Sequence, residues 1–163
     1  MAWDAEYLYV AVIADKPGYF PDQHLSPWDG DGLQLAFDTI RNADKNTIGY
    51  QDDDFEYAVW EKAGKASVWR YCASIAAYDS LPKSIGMTDE VAAAIRNQGN
   101  RTVYEMAFPA VSISPFKLFE GSACRFNLIL NMSNGKRRIG WLEITPGIGQ
   151  KKSPGLFPDL ILA

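Results

Sequence analysis

The chain has little of what most site chemistries draw on. It carries one histidine, His24, and two cysteines, Cys72 and Cys124, in 163 residues. No paired Cys or Cys/His spacing occurs, which excludes zinc-ribbon and zinc-finger sites. Two cysteines this far apart allow either one disulfide or two buried thiols. No apolar run is long enough to cross a bilayer as a helix, and no stretch has the layout of a signal peptide. Nor is positive charge in surplus: 16 Lys and Arg stand against 20 Asp and Glu, a formal net charge of −4. A nucleic-acid partner calls for a basic face, so none is expected. The one basic cluster, Lys136-Arg137-Arg138, follows Asn134-Gly135 and reads as a hairpin tip.

What is plentiful is aromatic and β-forming residues, punctuated throughout by glycine and proline. That composition, in a chain long enough to bury a core without staples, predicts a single all-β domain over residues 1–163. The chain opens at Met1-Ala2-Trp3-Asp4 already in mid-pattern, so we expect it to be part of a longer protein.

The stretch that organises the rest is Ser26-Pro27-Trp28-Asp29-Gly30-Asp31-Gly32, running into Leu33-Gln34-Leu35-Ala36-Phe37-Asp38. Leu33, Leu35 and Phe37 share one face, while Gln34, Ala36 and Asp38 share the other, the period of two of a strand. Trp28 stands just outside that pattern, either as a flat platform for a ligand or as a plug over the sheet edge.

Alternation predicts further strands over residues 6–14, 55–60, 66–71, 103–108, 125–131 and 139–143, with a short last one within 157–162. Apolar residues on both faces of 6–14 predict a central strand covered on both sides. Residues 88–96 fit a capped helix or a strand. The turn Asn97-Gln98-Gly99-Asn100 into the next strand favours the strand. Residues 15–26 and 41–54 read as long loops, 78–86 as a linker, and 109–119 as holding one helical turn. Nine or ten antiparallel strands make a two-sheet β-sandwich or jelly roll. Trp3, Trp60 and Trp69 are expected in the core.

In this order and spacing the chain resembles a family 9 carbohydrate-binding module, within the wider DOMON-like group of β-sandwiches. The resemblance is carried by Ala2-Trp3-Asp4 through Val10, Trp28-Asp29-Gly30-Asp31 with Gln34 and Asp38, and Tyr104 through Pro109. It continues through Phe126-Asn127 with Asn131, Gly140-Trp141, Pro146-Gly147-Ile148-Gly149, and Lys151 or Lys152 with Ser153-Pro154 and Phe157. The family's leading segment and first strand are missing from the start.

The resemblance implies non-catalytic binding of a mono-, oligo- or polysaccharide, often at a chain end, between two tryptophans. Trp28 matches the first by position. Trp141 is nearest to the second, although its spacing from Asn131 is longer than the family's. Gln34 stands where relatives place an acidic or amide hydrogen-bonder, and with it we expect Asn131 and Arg70 as hydroxyl partners, the other reading of Arg70 being a solvated strand arginine. A flat ring against the C–H face of a pyranose and planar amides on its hydroxyls are the chemistry such recognition needs. The resemblance also implies attachment to a glycoside hydrolase or similar protein outside the cytoplasm, extracellular or periplasmic, and structural calcium, with no other cofactor required.

Other readings compete. Asp29-Gly30-Asp31-Gly32 fails as an EF-hand because Ile40 occupies the closing position, which leaves Asp15, Asp38 and residues 52–54 as scattered calcium candidates. Glu105 and Glu143 are strand glutamates that nothing in the sequence brings together as a glycosidase pair. Some DOMON-like sandwiches hold haem, for which Met87, Met106 or Met132 with His24 or Lys152 would be needed. A structural or protein-interaction sandwich of a secreted enzyme is the remaining alternative.

Overall fold

A computed structural model of the chain describes residues 1–21, 27–72 and 85–163. His24 and Ser26, and the expected linker as far as residue 84, lie outside the described residues. Among the described residues there are eleven strands: β1 (Ala2–Trp3), β2 (Tyr7–Asp15), β3 (Gly32–Asp38), β4 (Asp54–Lys62), β5 (Lys65–Cys72), β6 (Gly86–Met87), β7 (Ala92–Gln98), β8 (Arg101–Pro109), β9 (Ala123–Ser133), β10 (Arg138–Glu143) and β11 (Asp159–Ile161). The count exceeds the nine or ten expected because β1 and β6 hold two residues each.

They form two antiparallel sheets, a four-stranded one in the order β1-β2-β8-β7 and a seven-stranded one in the order β10-β9-β3-β4-β5-β6, with β11 on β9. The all-β sandwich is as the alternation predicts. Residues 92–98 are strand, paired with β8 across a turn at Gly99. Residues 110–113 form a short 3-10 turn after Pro109. The β4–β5 turn runs through Ala63 and Gly64, both at positive φ (52° and 76°), as a tight two-residue hairpin requires.

The core lies between the sheets. Leu33, Leu35 and Phe37 of β3 and Phe55, Tyr57 and Val59 of β4 meet Leu8 and Val10 of β2 and Tyr104, Met106 and Phe108 of β8. The Phe108 ring packs edge-on against Phe37 and Tyr57, with centroids 5.4 and 5.3 Å away. Side chains of this size contribute about 1.5–3 kcal/mol each on full burial. Gly32 opens β3 because a Cβ there would stand 2.8 Å from the Val59 carbonyl oxygen.

Two expectations about faces need correction. β2 is central in its sheet but covered on one side only. Tyr9 and Ile13 face outward, with the Tyr9 hydroxyl donating to Asp4 at 2.9 Å. β3 shows the converse, with every residue buried. Its second face is roofed by loops rather than by a third layer: Ala36 and Ile129 pack with Ile148 and Phe157, joined by Tyr50 and Trp141. Trp60 is fully buried on that same face, whereas Trp69 is only half-buried, with its ring 6.5 Å from Tyr71. Trp3 packs against the core edge and donates to the Ala163 carbonyl. Both cysteines are free thiols.

Candidate functional site

The roofed face of the larger sheet is not closed everywhere. Between the loops remains a cleft of about 450 Å3, within the size range of small-ligand sites, with Trp28 at its mouth and Gln34 in its floor. The Trp28 loop is held from below by Asp31, a buried carboxylate that accepts from the Phe20 and Ser133 backbone N–H groups (2.7 and 2.8 Å) and pairs with Lys16 at 2.9 Å. Asp31 is therefore a loop clamp. Above it the Trp28 ring is 39% exposed, and it rests at 5.7 Å on the ring of Tyr71.

The floor is a row of hydrogen bonds running across four strands. Arg138 Nη1 on β10 donates to Asn131 Oδ1 on β9 at 3.2 Å. Asn131 Nδ2 donates to Gln34 Oε1 on β3 at 3.1 Å. Gln34 Nε2 donates to Glu56 Oε1 on β4 at 2.6 Å. Glu56 is in turn held by the Lys152 ammonium, 2.9 Å from Oε1 and 2.7 Å from Oε2, and by the Tyr50 hydroxyl at 2.5 Å. Every donor points the same way, so both amides have one orientation. Asn131, Gln34 and Glu56 of the row are buried and each is held from both sides, which makes it rigid.

Two tyrosines complete the walls. Burial, with Glu56 close by, raises the hydroxyls of Tyr50 and Tyr71 well above the usual phenol range, so both remain donors. The Tyr71 hydroxyl is buried with no partner among the described residues, a donor left for something in the cleft. Tyr71 reaches this position by simple alternation along β5, where Val68 and Arg70 face the core and Trp69 and Tyr71 face the other way, toward the side of Glu56 and Ala58.

Of the five residues expected at a site, the cleft brings together Trp28 and Gln34, with Asn131 fully buried beneath them as the link to Arg138. Trp141 is a neighbour rather than an open wall. The Arg138 guanidinium covers its ring at 4.9 Å, and Gly149 packs so closely on it that a Cβ would fall 2.6 Å from the indole nitrogen. Arg70 is not at the cleft. It faces the sandwich interior, 1% exposed, with its guanidinium over the Tyr57 ring at 5.4 Å and an Nη2–Oε2 bond of 2.5 Å to Glu90. An arginine so enclosed has no route to a ligand here, because its strand partner Tyr57 points into the core. Sequence reading missed Tyr50, Glu56, Tyr71 and Arg138. The signal for Glu56 was present: in Phe55-Glu56-Tyr57-Ala58-Val59 it shares the non-core face with Ala58.

Among the described residues, which do not include His24, the glycosidase and haem constellations are not brought together. Glu105 lies on β8, paired with Arg96, and Glu143 on β10 of the other sheet. Met106 is a core residue, Met87 is exposed at the end of the larger sheet, and Lys152 is engaged by Glu56. A larger trough of about 530 Å3 on the outer side of the small sheet is lined mainly by alanines, and Glu105 is its one charged side chain.

A separate cluster bears on calcium. Asp38, Asp53 and Asp54, all buried, bring one carboxylate oxygen each within 4.8 Å of one another at the far end of β3 and β4. Arg125 supplies one positive charge, 3.0 Å from Asp38. Asp54 Oδ1 is buried without a partner among the described residues. Burial, reinforced by Asp53 and Asp38 against one backbone N–H bond from Gln51, raises Asp54 to about 8. Three oxygen donors, an excess of buried negative charge and an unpartnered carboxylate oxygen fit a hard divalent cation.

The fold and cleft together define an antiparallel β-sandwich with one polar, small-ligand-sized site on its larger sheet. The chain belongs to the carbohydrate family 9 binding domain-like family, which it matches over residues 1–163. Among solved structures it is similar to a family 9 carbohydrate-binding module from Caldicellulosiruptor kristjanssonii in complex with glucose, with a TM-score of 0.69 at 18% identity over 99% of this chain and 73% of that one. It is also similar to a family 9 module from the same organism in complex with cellotriose, with a TM-score of 0.67 at 18% identity over 98% and 71%. No curated protein matches the chain.

Proposed function

We propose that this domain binds a mono- or oligosaccharide without catalysis, as an accessory module of a larger polysaccharide-processing protein outside the cytoplasm. The observation that carries the reading is the pairing of an exposed indole with a rigid amide row in one cleft. Trp28 offers the apolar face a pyranose ring needs, worth on the order of 1 kcal/mol beyond area. Gln34, Tyr71 and Arg138 offer directional partners for hydroxyls, and because the row is already fixed, little ordering cost remains on binding. The solved relatives hold glucose and cellotriose. Isothermal titration with those two sugars tests the proposal: a saturable signal with the sugar recovered unchanged supports it, and no heat with either sugar, or a cleaved product, contradicts it.

A structural calcium ion belongs to the same reading. Asp38, Asp53 and Asp54 would hold it, and its charge would neutralise a cluster that Arg125 only partly offsets. Its position would tie the loop that carries Tyr50 to the sheet.

A further inference from the structure

We propose that the cleft selects a sugar carrying a carboxylate, a uronic acid, and that Arg138 is the residue that reads it. This rests on the sugar-binding reading above and deepens it, since the solved relatives hold neutral sugars.

The cleft's own acid is spent. A carboxylate has about four lone-pair sites. Those of Glu56 are taken by Gln34, by Tyr50 and by Lys152 on both oxygens. Glu56 therefore accepts nothing further without losing a partner, and Lys152 has one of three donors left.

Arg138 is in the opposite condition. Of its five N–H donors one goes to Asn131, and no carboxylate of the described residues lies within ion-pair distance. Its guanidinium rests over Trp141, against which Gly149 packs closely, and it is held by Asn131 where it lines the cleft. A fixed guanidinium fork with spare parallel donors matches a carboxylate in two-point geometry. The unpartnered Tyr71 hydroxyl adds another donor.

The lining therefore carries two cations against one neutralised anion, with donors in excess of acceptors. Asp29 is the acidic group on the rim. It is solvent-exposed beside Trp28, where water and salt screen it. A neutral hexose leaves the Arg138 charge unmatched, and oxidation of its C6 carbon to a carboxylate supplies the match.

The probes are glucose and glucuronic acid, which differ only at that carbon, titrated at pH 7 in low and high salt. The expected result is glucuronate binding at least about tenfold tighter than glucose, about 1.4 kcal/mol, because a charge-assisted two-point bond forms only with the carboxylate. The advantage shrinks with salt. In Arg138→Gln, which keeps a donor for Asn131, it collapses to within about twofold. Arg138→Lys, which keeps the charge without the fork, recovers only part of it. Glucose binding equal to or tighter than glucuronate overturns the inference and leaves the sugar-binding reading standing, as does a preference that survives Arg138→Gln in a variant of unchanged melting midpoint. Binding of neither sugar overturns both.

Discussion

Replacing Gln34 by glutamate puts a second carboxylate where an amide nitrogen now stands 2.6 Å from Glu56. Two charges about 3 Å apart repel by roughly 5 kcal/mol at an effective dielectric of about 20. Lys152, already bridging both Glu56 oxygens, returns part of that, for a net cost of about 2–3 kcal/mol at neutral pH. At lower pH the pair shares one proton, so its apparent pKa lies above the unfolded glutamate value of about 4.3. The folded variant then binds more protons than the unfolded chain, and the stability present near pH 4 is lost as pH rises through the folded value. For a chain of this length the melting midpoint should fall by about 4–12 °C relative to wild type at pH 8 and be close to it at pH 4–5. Thermal melts of both proteins across that range are the assay. A variant whose melting curve runs parallel to wild type at every pH would refute the reasoning, because no carboxylate could then stand beside Glu56.

Other outcomes follow from the same geometry. Arg70→Ala should cost about 2–4 kcal/mol in urea denaturation, because it empties the space of a fully buried side chain and strips the Tyr57 ring, with the bond to exposed Glu90 contributing little, while sugar titration is unchanged. Chelation should lower the melting midpoint and calcium restore it; an unchanged midpoint contradicts an ion at Asp38, Asp53 and Asp54. In the chelated protein Asp54, raised to about 8, binds its proton more tightly folded than unfolded. Stability should then decline as pH rises from roughly 4 toward 8, by up to about 1.4 kcal/mol per unit, and calcium should flatten the slope.

The sandwich was readable because period-two alternation and hairpin turns are local signals. Asn134-Gly135 between β9 and β10 and the turn at Gly99 fixed strand pairing within a few residues of themselves. The site was half readable. Trp28 stood out as an aromatic outside any strand pattern, and Gln34 as a polar residue on a strand face that proved to be covered. Arg70 misled because its neighbours were read one by one. Val68 and Arg70 share a face by parity, and Val68 is core. Tyr71 follows plain alternation, sharing with Trp69 the face opposite Val68 and Arg70, and was overlooked rather than hidden, whereas Arg138 was hidden by a register shift between Arg138 and Gly140 that no alternation rule anticipates. The roof over β3 was hidden too, since residues of two distant loops meet there only after the sheet has formed.

The most direct test is tryptophan fluorescence during titration with glucose, cellotriose and glucuronic acid, on wild type and Trp28→Ala. Trp28 is exposed at the cleft mouth and its neighbours are held independently by Asp31, so the variant should keep the wild-type melting midpoint. A saturable change in wild type that disappears in the variant is the expected result. Equal responses in the two proteins, or none in either at an unchanged midpoint, would contradict a sugar platform at Trp28.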